Sequence, residues 1–352
     1  MPSEQGNASS ELQVDADGTV QVPAHTLPLS AALSDRSRAS LAAALSFTPR
    51  MGMPRAEDFT TETDFKVVVD GFRANVDMVF GRPMSEQLLD AFPVNISAGR
   101  MGGVPVEEFI PLGGPDSAGV LINLHGGAFY AGATYVSRIE SIPMANLGKF
   151  RVVSIDYRQG YEHKFPAASE DICAVYDELL KSFAPTQIGI YGGSAGGVLT
   201  AQATAWILQH GLPAPGAIGI FGAGTGGRGD SDYFGAIGTG LRPPMRFLDS
   251  LTSASVGYFS NASDADPLVN PCIAPVSFRA QFPPTLLITA TRAFDMSPAI
   301  ATHRALVQAG VDASLHVFDG LGHCFYYDAI APEGADAYQT MVRFFRKHLH
   351  VG

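Results

Sequence analysis

A chain of 352 residues with a formal net charge of −11 and no cluster of Lys or Arg is a poor fit for nucleic acid or an anionic membrane surface. No apolar run approaches the length of a membrane span, and three widely spaced cysteines (Cys173, Cys272, Cys324) suit neither a disulfide framework nor zinc-ligand spacing. A cytoplasmic, reducing compartment is therefore the expectation, and a hydrophobic fraction of 46% suffices for one large domain with insertions.

In chain order, residues 1–24 are polar and acidic, with neither the basic nor the apolar segment of a secretory leader, and are expected to form a flexible arm. Residues 25–98 read as an N-terminal helical cap. Helical patterns cover 27–45, 65–80 and 84–92, the last stopped by Pro93, and an irregular proline-bearing stretch covers 47–61. No strand pattern precedes about residue 105. The remainder, 99–352, alternates. Strand patterns at 106–110, 120–124, 151–155, 188–191, 217–221, 285–289 and 315–318 are interleaved with helical ones at 167–183, 194–210, 298–309 and 334–350. That rhythm predicts an α/β fold with a mostly parallel sheet covered on both faces. Between about 223 and 284 it lapses into a Gly- and Pro-rich insertion with Tyr233, Phe234, Phe247 and Tyr258, expected to be a second piece of lid.

In a parallel sheet, chemistry gathers beyond the carboxyl ends of the strands. After 188–191 comes Gly192-Gly193-Ser194-Ala195-Gly196-Gly197. A Gly-x-Ser-x-Gly turn between strand and helix lifts a hydroxyl clear of the backbone, and the helix N-terminus behind it favours negative charge there. After 120–124 comes His125-Gly126-Gly127-Ala128-Phe129, a loop of small residues suited to offering peptide N–H groups. After 285–289 comes Thr291-Arg292-Ala293-Phe294-Asp295, and after 315–318 comes Asp319-Gly320-Leu321-Gly322-His323. A hydroxyl, a donor loop, a carboxylate and an imidazole thus converge on one edge, in the order Ser, acid, His.

With these residues the chain resembles the hormone-sensitive-lipase-like branch (bacterial family IV) of the α/β-hydrolases, a group of carboxylesterases. The resemblance rests on the His125 and Ser194 motifs, on Asp156-Tyr157-Arg158 with Glu162-His163 and Phe165-Pro166-Ala167-Ala168, and on Gly322-His323-Cys324-Phe325. It spans roughly residues 100–350. Both routes make Ser194 the nucleophile and His323 the base. Both place the oxyanion donors at Ala195 and at Gly126, Gly127 and Ala128. The resemblance implies a loop-shaping role for His125, no metal or organic cofactor, and a possible homodimer.

The acid departs from the family pattern, which puts the triad aspartate directly after Thr-Arg, where this chain has Ala293. Asp295, two residues on, points the same way in an extended segment, displaced by roughly 6–7 Å; either it reaches His323 with the loop pulled back, or it is a surface residue and the triad lacks its usual third member. Asp230 and Asp232, beyond the 217–221 strand, are the other candidates. Gly193 stands where the family often has Asp. Asp156, Arg158 and Glu162 are expected to form an internal ion-pair network. Phe129, Tyr130 and Tyr326 are either core residues or walls of the substrate pocket. The expected function is a serine carboxylesterase for small, uncharged, moderately hydrophobic esters. The alternatives are a lactonase or amidase with the same apparatus, or a non-catalytic small-molecule receptor of the same fold.

Overall fold

The computed structural model describes residues 12–24, 26–51, 62–116, 119–226, 229–239 and 257–349. Most of the stretch expected to be irregular at 47–61, and Phe247 of the expected lid, lie outside the described residues. Residues 1–31 form a unit by themselves. Within it, part of the expected arm is a small hairpin, with Gln13–Val14 pairing antiparallel to Val20–Gln21 across a turn at Gly18.

Residues 32–352 form the second unit, built on an eight-stranded sheet. Its strands are β1 (Val94–Met101), β2 (Val104–Pro111), β3 (Val120–Leu124), β4 (Arg151–Ile155), β5 (Ile188–Gly193), β6 (Ala217–Phe221), β7 (Thr285–Ala290) and β8 (Ala313–Phe318). Their spatial order is β8-β7-β6-β5-β3-β4-β2-β1. Only the pairings made by β2 are antiparallel. Every residue of β3, β5, β6 and β7 is buried, which explains why these strands read as continuous apolar runs rather than alternating ones. One large apolar cluster holds Ile122, Ile190, Leu199 and Ile220, and a second holds Leu121, Tyr191, Met341 and Phe345.

Three expectations are corrected. A strand does precede residue 105. β1 is a largely exposed edge strand with Gly99 in it, so it shows no apolar alternation, and the boundary expected at 98 falls inside it. The two helices expected at 65–80 and 84–92 are one nearly continuous run. Helix α2 (Glu62–Asn75) passes through a π-helical segment (Val76–Gly81) into α3 (Arg82–Ala91), following α1 (Asp35–Met51). A helix absent from the sequence reading, α4 (Tyr135–Gly148), covers β3 and β4. It is buried on most sides and contains Pro143, so it has no polar stripe to betray it. Among the described residues the remaining helices longer than one turn are α5 (Ala167–Leu180), α6 (Ala195–Gln209), α7 (Ser231–Thr239), α8 (Met296–Gln308) and α9 (Pro332–His348).

Helix α1 is fastened to the start of α9. Glu333 accepts from Ser34 N–H (2.6 Å) and from the hydroxyls of Ser34 (2.7 Å) and Ser37 (2.6 Å), and Arg36 pairs with Asp328 at 2.8 Å. Between α2 and the sheet, Arg73 pairs with Glu162 at 2.6 Å and donates to the carbonyl of Tyr130. The expected Asp156–Arg158–Glu162 network does not form. Arg158 pairs with Asp171 and Glu170, Glu162 goes to Arg73, and Asp156 is exposed.

Candidate active site

Strand β5 runs straight into α6 through Ser194, whose backbone lies at φ 54°, ψ −122°. That is a strained conformation for a residue with a side chain, and neighbouring elements hold it. Ser194 N–H donates to Phe221 O on β6 at 2.8 Å, and its own carbonyl takes the N–H groups of Gly197 and Val198. The end of β3 presses on the turn: a Cβ on Gly196 would lie 1.7 Å from Leu124 O, and one on Gly192 would lie 2.3 Å from it. Only glycine permits that approach. The result places Ser194 Oγ 2.9 Å from His323 Nε2.

His323 follows the turn after β8. Its Nδ1 lies 2.6 Å from Asp295 Oδ1, so the ring donates there and presents Nε2 as acceptor to the serine hydroxyl. Asp295 is buried, accepts from Thr289 Oγ1 with its other oxygen, and sits at the N-cap of α8. The two-residue displacement from Ala293 is absorbed by a tight turn in which Ala293 N–H donates to Ala290 O at 3.1 Å. The Phe294 ring packs on the imidazole with centroids 4.2 Å apart. Burial disfavours the charged ring. The sulfur of Cys324, 3.4 Å from Nε2, and the Asp295 carboxylate outweigh it and carry the His323 pKa above the ordinary histidine value. Of the three candidate carboxylates it is Asp295 that meets the imidazole at Nδ1; Asp230 and Asp232 stand elsewhere. Both lie at the start of α7, where Asp230 O accepts the N–H groups of Tyr233 and Phe234.

The loop after β3 turns through Gly127 (φ 124°), Ala128 (φ 56°) and Phe129 (φ 65°). Arg73 holds Tyr130 O, and Gly160 N–H holds Phe129 O at 2.7 Å. Among the described residues, the N–H groups of Gly127, Ala128 and Ala195 have no protein acceptor. Gly126 differs: its N–H is committed to Glu140 Oε1 at 3.0 Å, which removes it from the expected donor set. His125 is fully buried and stacked on Tyr157, with Nδ1 2.8 Å from Gly126 O. Burial brings its pKa down to about 4, so it shapes the loop as a neutral ring.

Residues 121–327 match the family model described as the alpha/beta hydrolase fold. The chain belongs to that family, in its hormone-sensitive-lipase-like branch. It is similar to LipR of Mycobacterium tuberculosis, whose name reads "putative acetyl-hydrolase", with 28% identity over 254 residues, 71% of this chain and 80% of that protein. Among solved structures it is similar to the esterase E25, at 30% identity and a TM-score of 0.78, covering 94% of this chain and 99% of that one. It is also similar to an esterase from the bacterial hormone-sensitive lipase family, at 25% identity and a TM-score of 0.70, covering 88% and 98%.

In this α/β-hydrolase the three aromatic residues weighed as pocket walls are core residues. Phe129 stacks on Tyr258 and meets Phe259 edge-on, Tyr130 meets Phe65 edge-on, and Tyr326 is enclosed by Phe221, Phe325 and Tyr338. Sequence reasoning missed Glu140, Thr289, Phe294 and Arg73 as neighbours of the site. Glu140 and Arg73 reach it from helices distant in sequence, and no local motif marks them. Phe294 and Thr289 were in view, beside Asp295 and ending the β7 strand pattern, but their contacts depend on how the loop turns.

Proposed function

We propose that this chain is a serine carboxylesterase acting through an acyl-enzyme, with Ser194 as nucleophile, His323 as general base and acid, and Asp295 as the triad carboxylate. The observation that carries the reading is the unbroken line from Ser194 Oγ through the imidazole to Asp295, at 2.9 and 2.6 Å. Ser194 Oγ adds to the ester carbonyl while Nε2 takes its proton. The oxyanion is received by the N–H groups of Ala195, Gly127 and Ala128, each such donor typically being worth about 3–4 kcal/mol. His323 then protonates the departing alkoxide. In the second half it deprotonates a water, whose oxygen adds to the acyl carbon, and the imidazolium then returns the proton to Ser194 Oγ as the carboxylic acid leaves. Asp295 stabilises the imidazolium and fixes the tautomer.

The substrate in this reading is a small, uncharged, moderately hydrophobic ester with a short acyl group. A net charge of −11 disfavours anionic substrates, and LipR's name, "putative acetyl-hydrolase", points to a short acyl group. Action in the cytoplasm, with all three thiols free, belongs to the same reading. So does dimerisation at the exposed edge strand β8, which light scattering measures.

A fluorophosphonate probe is expected to label Ser194 and to abolish hydrolysis of p-nitrophenyl acetate, and Ser194→Ala to lose both. Folded protein that neither labels nor hydrolyses would favour a non-catalytic receptor. Faster turnover of lactones or anilides than of open-chain esters would move the substrate class.

A further inference from the structure

One carboxylate beside the site takes no part in the chemistry above. Glu140 projects from α4 and is 2% exposed. All four of its partners are donors. Asn123 Nδ2 (2.9 Å) and Gly193 N–H (3.2 Å) reach Oε2, while Gly126 N–H (3.0 Å) and the Tyr327 hydroxyl (2.6 Å) reach Oε1. The carboxylate itself turns the Asn123 amide, drawing Nδ2 towards Oε2 and leaving Oδ1 to accept from Ser154 Oγ at 2.7 Å. A carboxylate anion has acceptor positions for four donors, whereas a neutral amide would set its own NH2 against two of them. Burial pushes the Glu140 pKa up and these four donors work against it, the balance standing at about 7.

The four partners mark out the catalytic segments. Asn123 and Gly126 flank the end of β3 and begin the oxyanion loop. Gly193 is the residue before Ser194, and Tyr327 lies four residues after His323. The backbone has closed onto this carboxylate. A Cβ on Gly193 would stand 2.7 Å from Glu140 Oε1 and 2.6 Å from the Tyr326 hydroxyl, and one on Gly126 would stand 2.6 Å from the Tyr327 hydroxyl. Glycine at 193 therefore leaves room for a carboxylate delivered from α4.

We propose that Glu140 is a positioning residue that fixes the oxyanion loop, the turn bearing Ser194 and the segment behind His323 in one spatial relation. The proposal rests on the serine-esterase reading. Glu140 touches none of the reacting atoms. It ties down Gly126 so that Gly127 and Ala128 can present their N–H groups, and it ties down Gly193 so that Ser194 faces the imidazole. Small displacements of such groups penalise the transition state far more than substrate binding, with a misplacement of about 1 Å costing on the order of 100-fold. The signature is therefore a loss in kcat with KM retained.

The test compares the wild-type full chain with Glu140→Gln and Tyr327→Phe, using p-nitrophenyl acetate as substrate and a trifluoromethyl ketone as a mimic of the tetrahedral adduct. Glu140→Gln is expected to keep a native circular dichroism spectrum and a KM within about twofold, and to lose kcat by on the order of 30-fold or more, with trifluoromethyl ketone affinity falling in parallel. Tyr327→Phe removes one donor from the carboxylate and is expected to lower kcat by about three- to tenfold. The double variant is expected to lose no more than Glu140→Gln alone, because both changes act on one unit. A folded Glu140→Gln with wild-type kcat, or with its loss confined to KM, overturns the proposal. If Glu140→Gln does not fold, Tyr327→Phe decides: lowered kcat at constant KM supports the proposal, and unchanged kcat overturns it. A wild-type chain that neither hydrolyses the ester nor takes a fluorophosphonate defeats the serine-esterase reading itself. An active wild type with unaffected variants defeats only the role given to Glu140.

Discussion

His323 is held between a carboxylate, a thiol, an aromatic face and a hydroxyl, and its basicity follows from those neighbours. The general-base role proposed for it requires a neutral ring, so turnover is expected to fall at low pH as the ring takes a proton. Asp295 and Cys324 raise the ring's pKa, so taking away the Asp295 charge lowers it. Asp295→Asn is therefore expected to move the acidic limb of the kcat/KM profile to lower pH. The same change is expected to cut kcat by on the order of 100-fold or more, because the imidazole loses its tautomer and its counter-charge. Stopped-flow assays across pH, with Asp230→Asn and Asp232→Asn as controls at wild-type rate, check both parts. At this scale Ser194 and His323 were legible because each sits in a short motif. Asp295 was half legible: its residue type was evident, but its reach depended on a turn at Ala293 that local sequence does not dictate. Glu140 was not legible at all.

Helices and strands carry the next set of consequences. The β3–α6 contact tolerates no side chain at position 196, so Gly196→Ala forces Leu124 or the elbow itself to move. Overpacking of this kind costs about 1–3 kcal/mol or more, and here it also displaces Ser194. Gly196→Ala is expected to lower the melting temperature and to remove esterase activity together, as scanning calorimetry and an ester assay would show. Helix α1 depends on Glu333. Burial works against that carboxylate's charge, yet the Ser34 N–H and the Ser37 and Ser34 hydroxyls pull its pKa down from 4.5 to about 2. A depressed acid pKa stabilises the fold above the unfolded value, and the contribution fades as pH falls through the folded one. Glu333→Gln is therefore expected to lower the melting temperature at pH 7, with the gap to wild type shrinking between pH 4.5 and pH 2. Elements with one wet face, such as α9, were readable from periodicity. The fully buried α4 and the exposed edge strand β1 were not, because neither alternates between core and solvent.

For the molecule as a whole, the sheet order sets the site. β3 lies between β4 and β5, and β6, β7 and β8 follow outward, so the loops after β3, β5, β7 and β8 open at the same edge. The helical front end is bound to this frame at the far end of the sequence, through Glu333 and Asp328 of the chain's last segment, and it buries Leu33 and Leu41. Deleting residues 1–60 removes α1 and these anchors. The truncated chain is expected to bind a hydrophobic dye and to change its preference among acyl-chain lengths. Unaltered dye binding and unaltered specificity would separate this region from the site.

The sequence by itself determined the alternation that makes a parallel α/β sheet, and the Ser, acid, His order at its strand ends. Both follow from local rules, since buried parallel strands must be apolar and a sharp strand-to-helix turn must be glycine-rich. Only the tertiary structure decided which carboxylate meets the imidazole, that Gly126 N–H is already spent, and that Glu140 stands behind the catalytic loops. Those outcomes depend on distances between segments far apart in the chain, and such distances are set by packing, which no local pattern encodes.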